Sequence, residues 1–288
     1  MRHGYLLVYK ESGPTSHDVV QAVRRTLCES HVGHLGTLDP LASGLLVLAV
    51  GAKALKTVEL FSALPKEYEA ELALGAVSTT YDRDGLITEG TAKTGWRPPP
   101  DSAPIRALIE QRFLGSITQV PPAFSAVHVS GKRAYERARN GEQVELPPRE
   151  VDIFTCDVLE YHYPLLKLRI ACGAGTYIRS LAHDLGQTMR CGAYLKALTR
   201  TKVGEWSLAQ ARPLDHVRWT DVLPLKDVLR PLSGIALTDA QWEELKFGRP
   251  IALDANEYPL IGWHDDLPVA ILEGDRRAQG MVKPRKVL

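Results

Sequence analysis

The segment GHLGTLDPLASGLLVLAVG, Gly33 to Gly51, sets a glycine-rich loop with one carboxylate, Asp39, ahead of a continuous apolar run, Leu45 to Val50. The run has the length of a strand and follows a loop rich in turn residues. Asp39 precedes Pro40 and lies among Gly33, Gly36, Gly44 and apolar side chains, so few neighbours can solvate it. A lone buried carboxylate is costly unless it is paired. The obvious distant partner is Arg179 in GAGTYIRS, whose fork can hold a carboxylate bidentately and keep it ionised.

Working outward, Tyr5 to Tyr9 reads as a short strand, and Ser16 is placed to cap a helix whose Val19, Val20, Val23 and Leu27 fall at helical spacing. Ala52 to Leu64 reads as a helix ended by Pro65. Tyr68, Ala70, Leu72 and Leu74 alternate with Glu67, Glu69, Glu71 and Ala73, the pattern of a half-buried strand. Thr94 to Pro104, with four prolines, reads as a surface loop, and Ile105 to Phe113 as a helix. Phe124 to Val129, Ser130-Gly131 and Ala134 to Asn140 suggest strand, turn and helix with Gly141 as C-cap. Val151 to Ala171 holds two β-rich runs around Pro164, Tyr177 to Met189 is helix-like, and Ala193 to Val203 is short and extended. Strands that come in pairs rather than in βαβ alternation predict an α+β fold with a mixed, mainly antiparallel sheet flanked by helices. A composition shift near Pro231 predicts domains 1–231 and 232–288.

The chain has 288 residues, net charge +1, 44% hydrophobic and 24% charged residues, a composition that excludes disordered, collagen-like and disulfide-stapled classes. Its longest charge-free apolar run, Pro40 to Ala52, is short of the roughly 20 residues of a bilayer helix. The N-terminus lacks a secretory h-region, so a cytoplasmic protein is expected. Cys28, Cys156, Cys172 and Cys191 form no CxxC pair and have no His at zinc spacing, so no metal site is expected. The segment Leu232 to Asp275 holds nine acidic residues and two basic ones. Basic clusters therefore fall elsewhere: Arg24 and Arg25; Lys132, Arg133, Arg137 and Arg139; Lys196, Arg200 and Lys202; and the terminal Arg276, Arg277, Lys283, Arg285 and Lys286. Four such clusters on one chain favour a polyanion partner.

Familiar catalytic patterns are absent. Ala42-Ser43-Gly44 is not a nucleophile elbow, no glycine loop ends in GK[ST], and Asp82-Arg83-Asp84-Gly85 lacks the ligands of a calcium loop and reads as a tight polar turn. The segment from Gly33 to Gly51 instead resembles the diagnostic block of the bacterial TruB-type tRNA pseudouridine synthases. KESGPTSHDVV (Lys10 to Val20), KEYEAELALG (Lys66 to Gly75) and QVPPAFSAVHVSGKRAYERAR (Gln119 to Arg139) resemble further blocks of that family in order. GTYIRSLAHDLG (Gly175 to Gly186) and LTRTKVGEW (Leu198 to Trp206) complete the series, which spans about the first 210 residues.

The resemblance implies a cofactor-free isomerase acting on the uridine at position 55 of the tRNA T-loop. It implies Asp39 as nucleophile, Arg179 as its ion-pair partner, and Tyr68 stacked on the flipped base and assisting at C5. Tyr177 and Leu198 would line the uridine pocket, and His34 would fill the gap left by the extruded base. Extrusion costs roughly a few kcal/mol, and base stacking of about 1–3 kcal/mol suits Tyr68 and His34 as compensators. Glu11, His31, Leu35 and His128 depart from the family's usual Pro, Lys or Arg, Thr and Lys.

The segment 232–288 resembles, more weakly, the small PUA-like β-rich domain that ends many members, and is expected to meet the acceptor-stem side of tRNA through its terminal bases. A monomer is expected. Two other readings use the same residues: an RNA-binding module or tRNA-folding chaperone without chemistry, and a carboxylate glycoside or nucleoside hydrolase. Intact Asp39, Tyr68 and Arg179 argue against the first as a sole role, and the want of a second acid in a comparable motif argues against the other.

Overall fold

The computed structural model describes residues 3–90, 96–124, 146–253, 258–275 and 280–288, with the backbone of 128–129 and 132–133. Chain order begins β1 (Gly4–Lys10), α1 (Ser16–Leu27), β2 (Val32–His34), β3 (Ser43–Val50), α2 (Ala52–Thr57), β4 (Lys66–Leu74), β5 (Ala76–Ser78) and β6 (Ile87–Glu89). It continues through α3 (Ala103–Arg112), β7 (Gly115–Gln119), β8 (His128–Val129), β9 (Lys132–Arg133), β10 (Arg149–His162), β11 (Leu165–Cys172), α4 (Ile178–Thr188) and β12 (Ala193–Val203). The helix expected from Ala134 to Asn140 lies outside the described residues.

The main sheet runs β1-β3-β12-β4-β11-β10-β7, antiparallel except where β12 meets β3, so it is mixed and mainly antiparallel. Its two halves are dressed differently. On β4, Tyr68, Ala70, Leu72 and Leu74 enter the core with Leu166, Leu168 and Ile170 of β11. On the other face of β4, Glu69 and Glu71 pair with Arg169 and Lys196 in water, as period-2 alternation requires. β1 and β3 are buried on both faces: Leu6, Val8, Leu46 and Leu48 pack under α1, while Tyr5, Leu7, Leu45 and Val47 pack in a second cluster. That double burial is why their sequences read as nearly unbroken apolar runs.

α1 lays Val19, Val20, Val23 and Leu27 on the core. Its cap is Thr15, not Ser16. Thr15 and Asp18 form a reciprocal capping box, and Ser16 is the first helical residue. Freed from capping, the Ser16 hydroxyl donates to Leu38 O at 2.9 Å and accepts from Leu38 N–H at 2.8 Å, so it holds the loop before Asp39. The helix expected to Leu64 is α helix only to Thr57 and then tightens into a 3₁₀ turn, Val58–Phe61. Ala193 to Val203, expected as extended, is a strand over those same 11 residues at the centre of the sheet. Bulges between Leu195 and Ala197 and between Arg200 and Lys202 break its alternation, which hides it from a period-2 reading.

The C-terminal residues form a second sheet from β16 (Gly234–Ala236), β17 (Ile251–Ala252), β18 (Leu260–His264), β19 (Leu267–Gly274) and β20 (Met281–Val287), in the order β16-β18-β19-β20-β17. Here β13 is Trp206–Ser207, β14 Arg212–Pro213, β15 Leu223–Pro224 and α5 Leu225–Leu229. Ile261, Ile271 and Leu288 share one apolar cluster with Tyr5, Leu7, Leu225 and Leu229, and α5 lies against both β1 and β19, joining the second sheet to the first.

Candidate active site

The loop between β2 and β3 brings Asp39 to the first turn of α4. Arg179 Nη2 donates to Asp39 Oδ1 at 3.2 Å, and Nε lies 2.8 Å from Oδ2, a charge contact outside hydrogen-bond angles. The Arg179 side chain is 5% exposed and that of Asp39 33%, so the cation is locked in protein while the carboxylate keeps partial access to solvent. Nη2 also donates to Phe124 O at 3.0 Å, and Nη1 lies 3.3 Å from Asp82 Oδ2. One guanidinium thus serves two carboxylates. Burial, with Asp82 adding to it, holds the Asp39 carboxyl above its ordinary range against the opposite pull of Arg179.

Arg179 can be so placed because of how α4 begins. Tyr177 is the N-cap in an extended conformation without a side-chain cap of its own. Gln119, at the end of β7, substitutes: Tyr177 N–H donates to its Oε1 at 2.8 Å and its Nε2 donates to Tyr177 O at 3.0 Å. The Arg149 guanidinium covers the Tyr177 ring, 4.6 Å from its centroid.

Two buried cations shape the Asp39 loop. Lys10 Nζ donates to Glu11 O, Pro40 O and Ala42 O at 2.9, 3.3 and 2.6 Å. Burial pushes its pKa down to about 8. Arg200 donates to Leu45 O at 2.8 Å, Gly36 O at 3.1 Å and Thr37 O at 3.5 Å, so it spans both ends of the loop. The sequence reading placed Arg200 in a surface basic cluster. The structure corrects this: it is 2% exposed and serves the backbone. A signal was available, because Arg200 lies two residues from apolar Leu198, and Lys10 two from Val8, each on a buried strand face. Asp82, read as part of a polar turn, is the other site residue missed.

Tyr68 of β4 is cross-strand neighbour to Arg200 of β12, and Leu198 lies beside them opposite Ala70. Burial raises the Tyr68 phenol, with the Arg200 charge opposing. His34, at the end of β2, is half-buried, and burial first and Arg200 second lower its pKa. Asp39, Arg179, Tyr68, Leu198 and His34 therefore share a neighbourhood organised by Arg179 and Arg200. Tyr177 stands at the N-cap position of the helix that carries Arg179. Of the terminal bases, Arg285 and Lys286 are paired with Glu59 and Lys283 with Glu273, so their charge is partly neutralised within the protein.

Among the described residues no three His, Cys, Asp or Glu side chains converge as a metal site, and no helix is long and apolar enough to cross a membrane. Solved chains from a Cbf5-Nop10-Gar1 complex (TM-score 0.71, 23% identity, 99% of this chain and 84% of that one) and an H/ACA RNP bound to a substrate RNA (0.70, 22%, 99% and 84%) share the fold. The protein named tRNA pseudouridine synthase B of Opitutus terrae is 40% identical over 80% of this chain and 91% of its own, and that of Streptococcus mutans 37% over 100% and 99%. Residues 24–178 match the model of the TruB family pseudouridylate synthase N-terminal domain. With its Asp39 loop, its buried Arg179 and this likeness along its length, the chain belongs to the TruB family of pseudouridylate synthases.

Proposed function

We propose that the protein converts uridine 55 in the T-loop of tRNA to pseudouridine, with Asp39 as nucleophile. The observation that carries this is the Asp39 carboxylate, held by a buried Arg179 and itself one-third exposed. The reaction breaks the N1–C1′ bond and forms C5–C1′, while C5 loses a proton and N1 ends protonated. Atoms balance without an added reagent, so the site must supply an oriented carboxylate, a pocket that retains the detached base, and a group near C5.

Arg179 keeps Asp39 oriented, and its charge favours the ionised form in which a carboxylate is nucleophilic. Tyr68 stacks on the extruded base and assists at C5, Tyr177 and Leu198 line the uridine pocket, and His34 fills the place the base leaves in the RNA. A neutral His34 ring, favoured by its burial, stacks without bringing a second charge beside Arg200. Residues 1–231 form the catalytic domain and 232–288 a PUA-like RNA-binding domain. An added tRNA-folding role draws on the same base extrusion.

The test is tritium release from tRNA labelled at C5 of uridine, by wild type and by Asp39→Asn, with the modified position mapped. Wild type is expected to release tritium from the T-loop and the variant to bind RNA without release. Binding without release by both proteins would show an RNA-binding module instead, and free uracil a hydrolase.

A further inference from the structure

The turn that carries Asp82 is fixed in an unusual way. Tyr81, just before it, has φ +64°, a left-handed conformation that disfavours a bulky residue. The backbone is pinned to the central strand, since Leu195 N–H donates to Tyr81 O at 2.9 Å and Arg83 N–H to Leu195 O at 3.0 Å. The Tyr81 ring lies flat on His183 of α4, with centroids 3.9 Å apart and planes at 15°. His183 Nδ1 is buried with no hydrogen-bond partner among the described residues, so this nitrogen does not anchor the ring and the packing against Tyr81 does.

His183 stands one helical turn beyond Arg179, on the same face of α4. The two residues therefore grip adjacent residues of one turn, His183 through Tyr81 and Arg179 through Asp82. The same turn reaches the catalytic loop by a second route: Arg83 Nη2 donates to Ser12 Oγ at 2.9 Å, and Ser12 Oγ donates to Leu41 O at 2.9 Å.

We propose that Tyr81 and His183 are positioning residues, whose stack seats the Asp82 turn on α4 so that Arg179, shared with Asp82, presents Asp39 in its reactive orientation. This rests on the reading of the site as a pseudouridine synthase centre. The charged groups acting on Asp39 are Arg179 of α4, Asp82 of the turn and Lys10 of β1, and Asp184 acts on Tyr81. Loosening the stack withdraws Asp82, removes its repulsion of the Asp39 charge, and moves the acid limb of activity to lower pH.

The experiment compares Tyr81→Gly, Tyr81→Phe, His183→Ala and His183→Phe in the full chain by tritium release, RNA affinity and the pH profile of kcat/KM. Tyr81→Gly accepts the left-handed backbone and deletes only the ring, so it separates stacking from backbone shape. Tyr81→Gly and His183→Ala are expected to lower kcat on the order of tenfold to a hundredfold, with KM nearly unchanged and the acid limb displaced downward. Tyr81→Phe and His183→Phe, which keep a ring in place, should restore both. His183→Ala removes the stack from the helix side, so the outcome does not depend on Tyr81→Gly folding well. Wild-type turnover with an unmoved limb in both deletions, or equal impairment in the Phe variants, would overturn the proposal alone. Absence of release from wild type would overturn the functional reading and this inference with it.

Discussion

Asp39, the proposed nucleophile, is ionised at some cost to the fold, because burial and Asp82 both oppose its charge. The direction fixes two consequences. A nucleophilic carboxylate must be ionised, so kcat/KM should fall as pH drops through the raised Asp39 value, placing the acid limb above the ordinary aspartate range of about 3.9. A folded carboxyl raised above its unfolded value stabilises the protein below the unfolded value, and that contribution is lost as pH rises through the folded one. At neutral pH, then, the ionised form that the proposed reaction needs comes at the expense of stability. A pH–rate profile checks the first point, and a limb at or below about 4 would show that Arg179 outweighs burial.

The sequence made Asp39 and Arg179 legible, because a lone carboxylate among glycines demands a cation. Lys10 and Arg200 were marked only by their place on a buried strand face, since a cation that hydrogen-bonds backbone carbonyls otherwise looks in sequence like any surface base, and Asp82 looks like any turn carboxylate. Each such charge-assisted bond contributes about 1.5–3 kcal/mol, so Arg200 rivals the motif residues in fixing the loop.

At the scale of the element, the decisive contact is the parallel meeting of β3 and β12, where Ser43 faces Thr199 and Gly44 faces Arg200. Gly44 has φ +110°, and a Cβ there would stand 2.4 Å from Arg200 O and 2.6 Å from Arg200 N. Gly44→Ala therefore combines left-handed strain with a backbone clash, and should separate the strands that position Arg200. A loss of about 3 kcal/mol or more is expected in denaturant unfolding, with turnover falling further. Unchanged unfolding would show that the sheet tolerates a wider spacing here.

Strand alternation in β4 was legible because its two faces meet core and water. The extent of β12 was legible too, but not which of its side chains point inward, because its bulges reset the alternation so that both Leu195 and Leu198 face the core. The α1 cap is a finer case. Thr15 and Ser16 are both good caps by chemistry, and the tertiary bonds of Ser16 to Leu38 decide between them.

At the scale of the whole molecule, the second sheet covers apolar surface of the first. Removing residues 232–288 would take Ile261, Ile271 and Leu288 out of the shared apolar cluster and uncover the face of Leu225 and Leu229 that meets β19. Large side chains returned to water cost about 1.5–3 kcal/mol each when fully uncovered. A 1–231 fragment should thus show a clearly lower thermal midpoint than the full chain by calorimetry, and should tend to associate. An equal midpoint would mean that the shared cluster contributes little. The proposed RNA binding by residues 232–288 is better tested with surface charge changes than with truncation, which also disturbs the apolar cluster under β1.

Local pattern and side-chain chemistry dictate the alternating and apolar strands, the α1 and α3 helices, and the Asp39 loop with its need for a cation. Those features depend on the period of a strand or helix and on the cost of burying charge, which act on neighbouring residues. Long-range packing alone turns Arg200 inward, lets Asp82 share Arg179 with Asp39, lays Tyr81 on His183 and joins the C-terminal sheet to the apolar cluster of β1. Each is a contact between segments far apart in the chain, set by strand order and bulges.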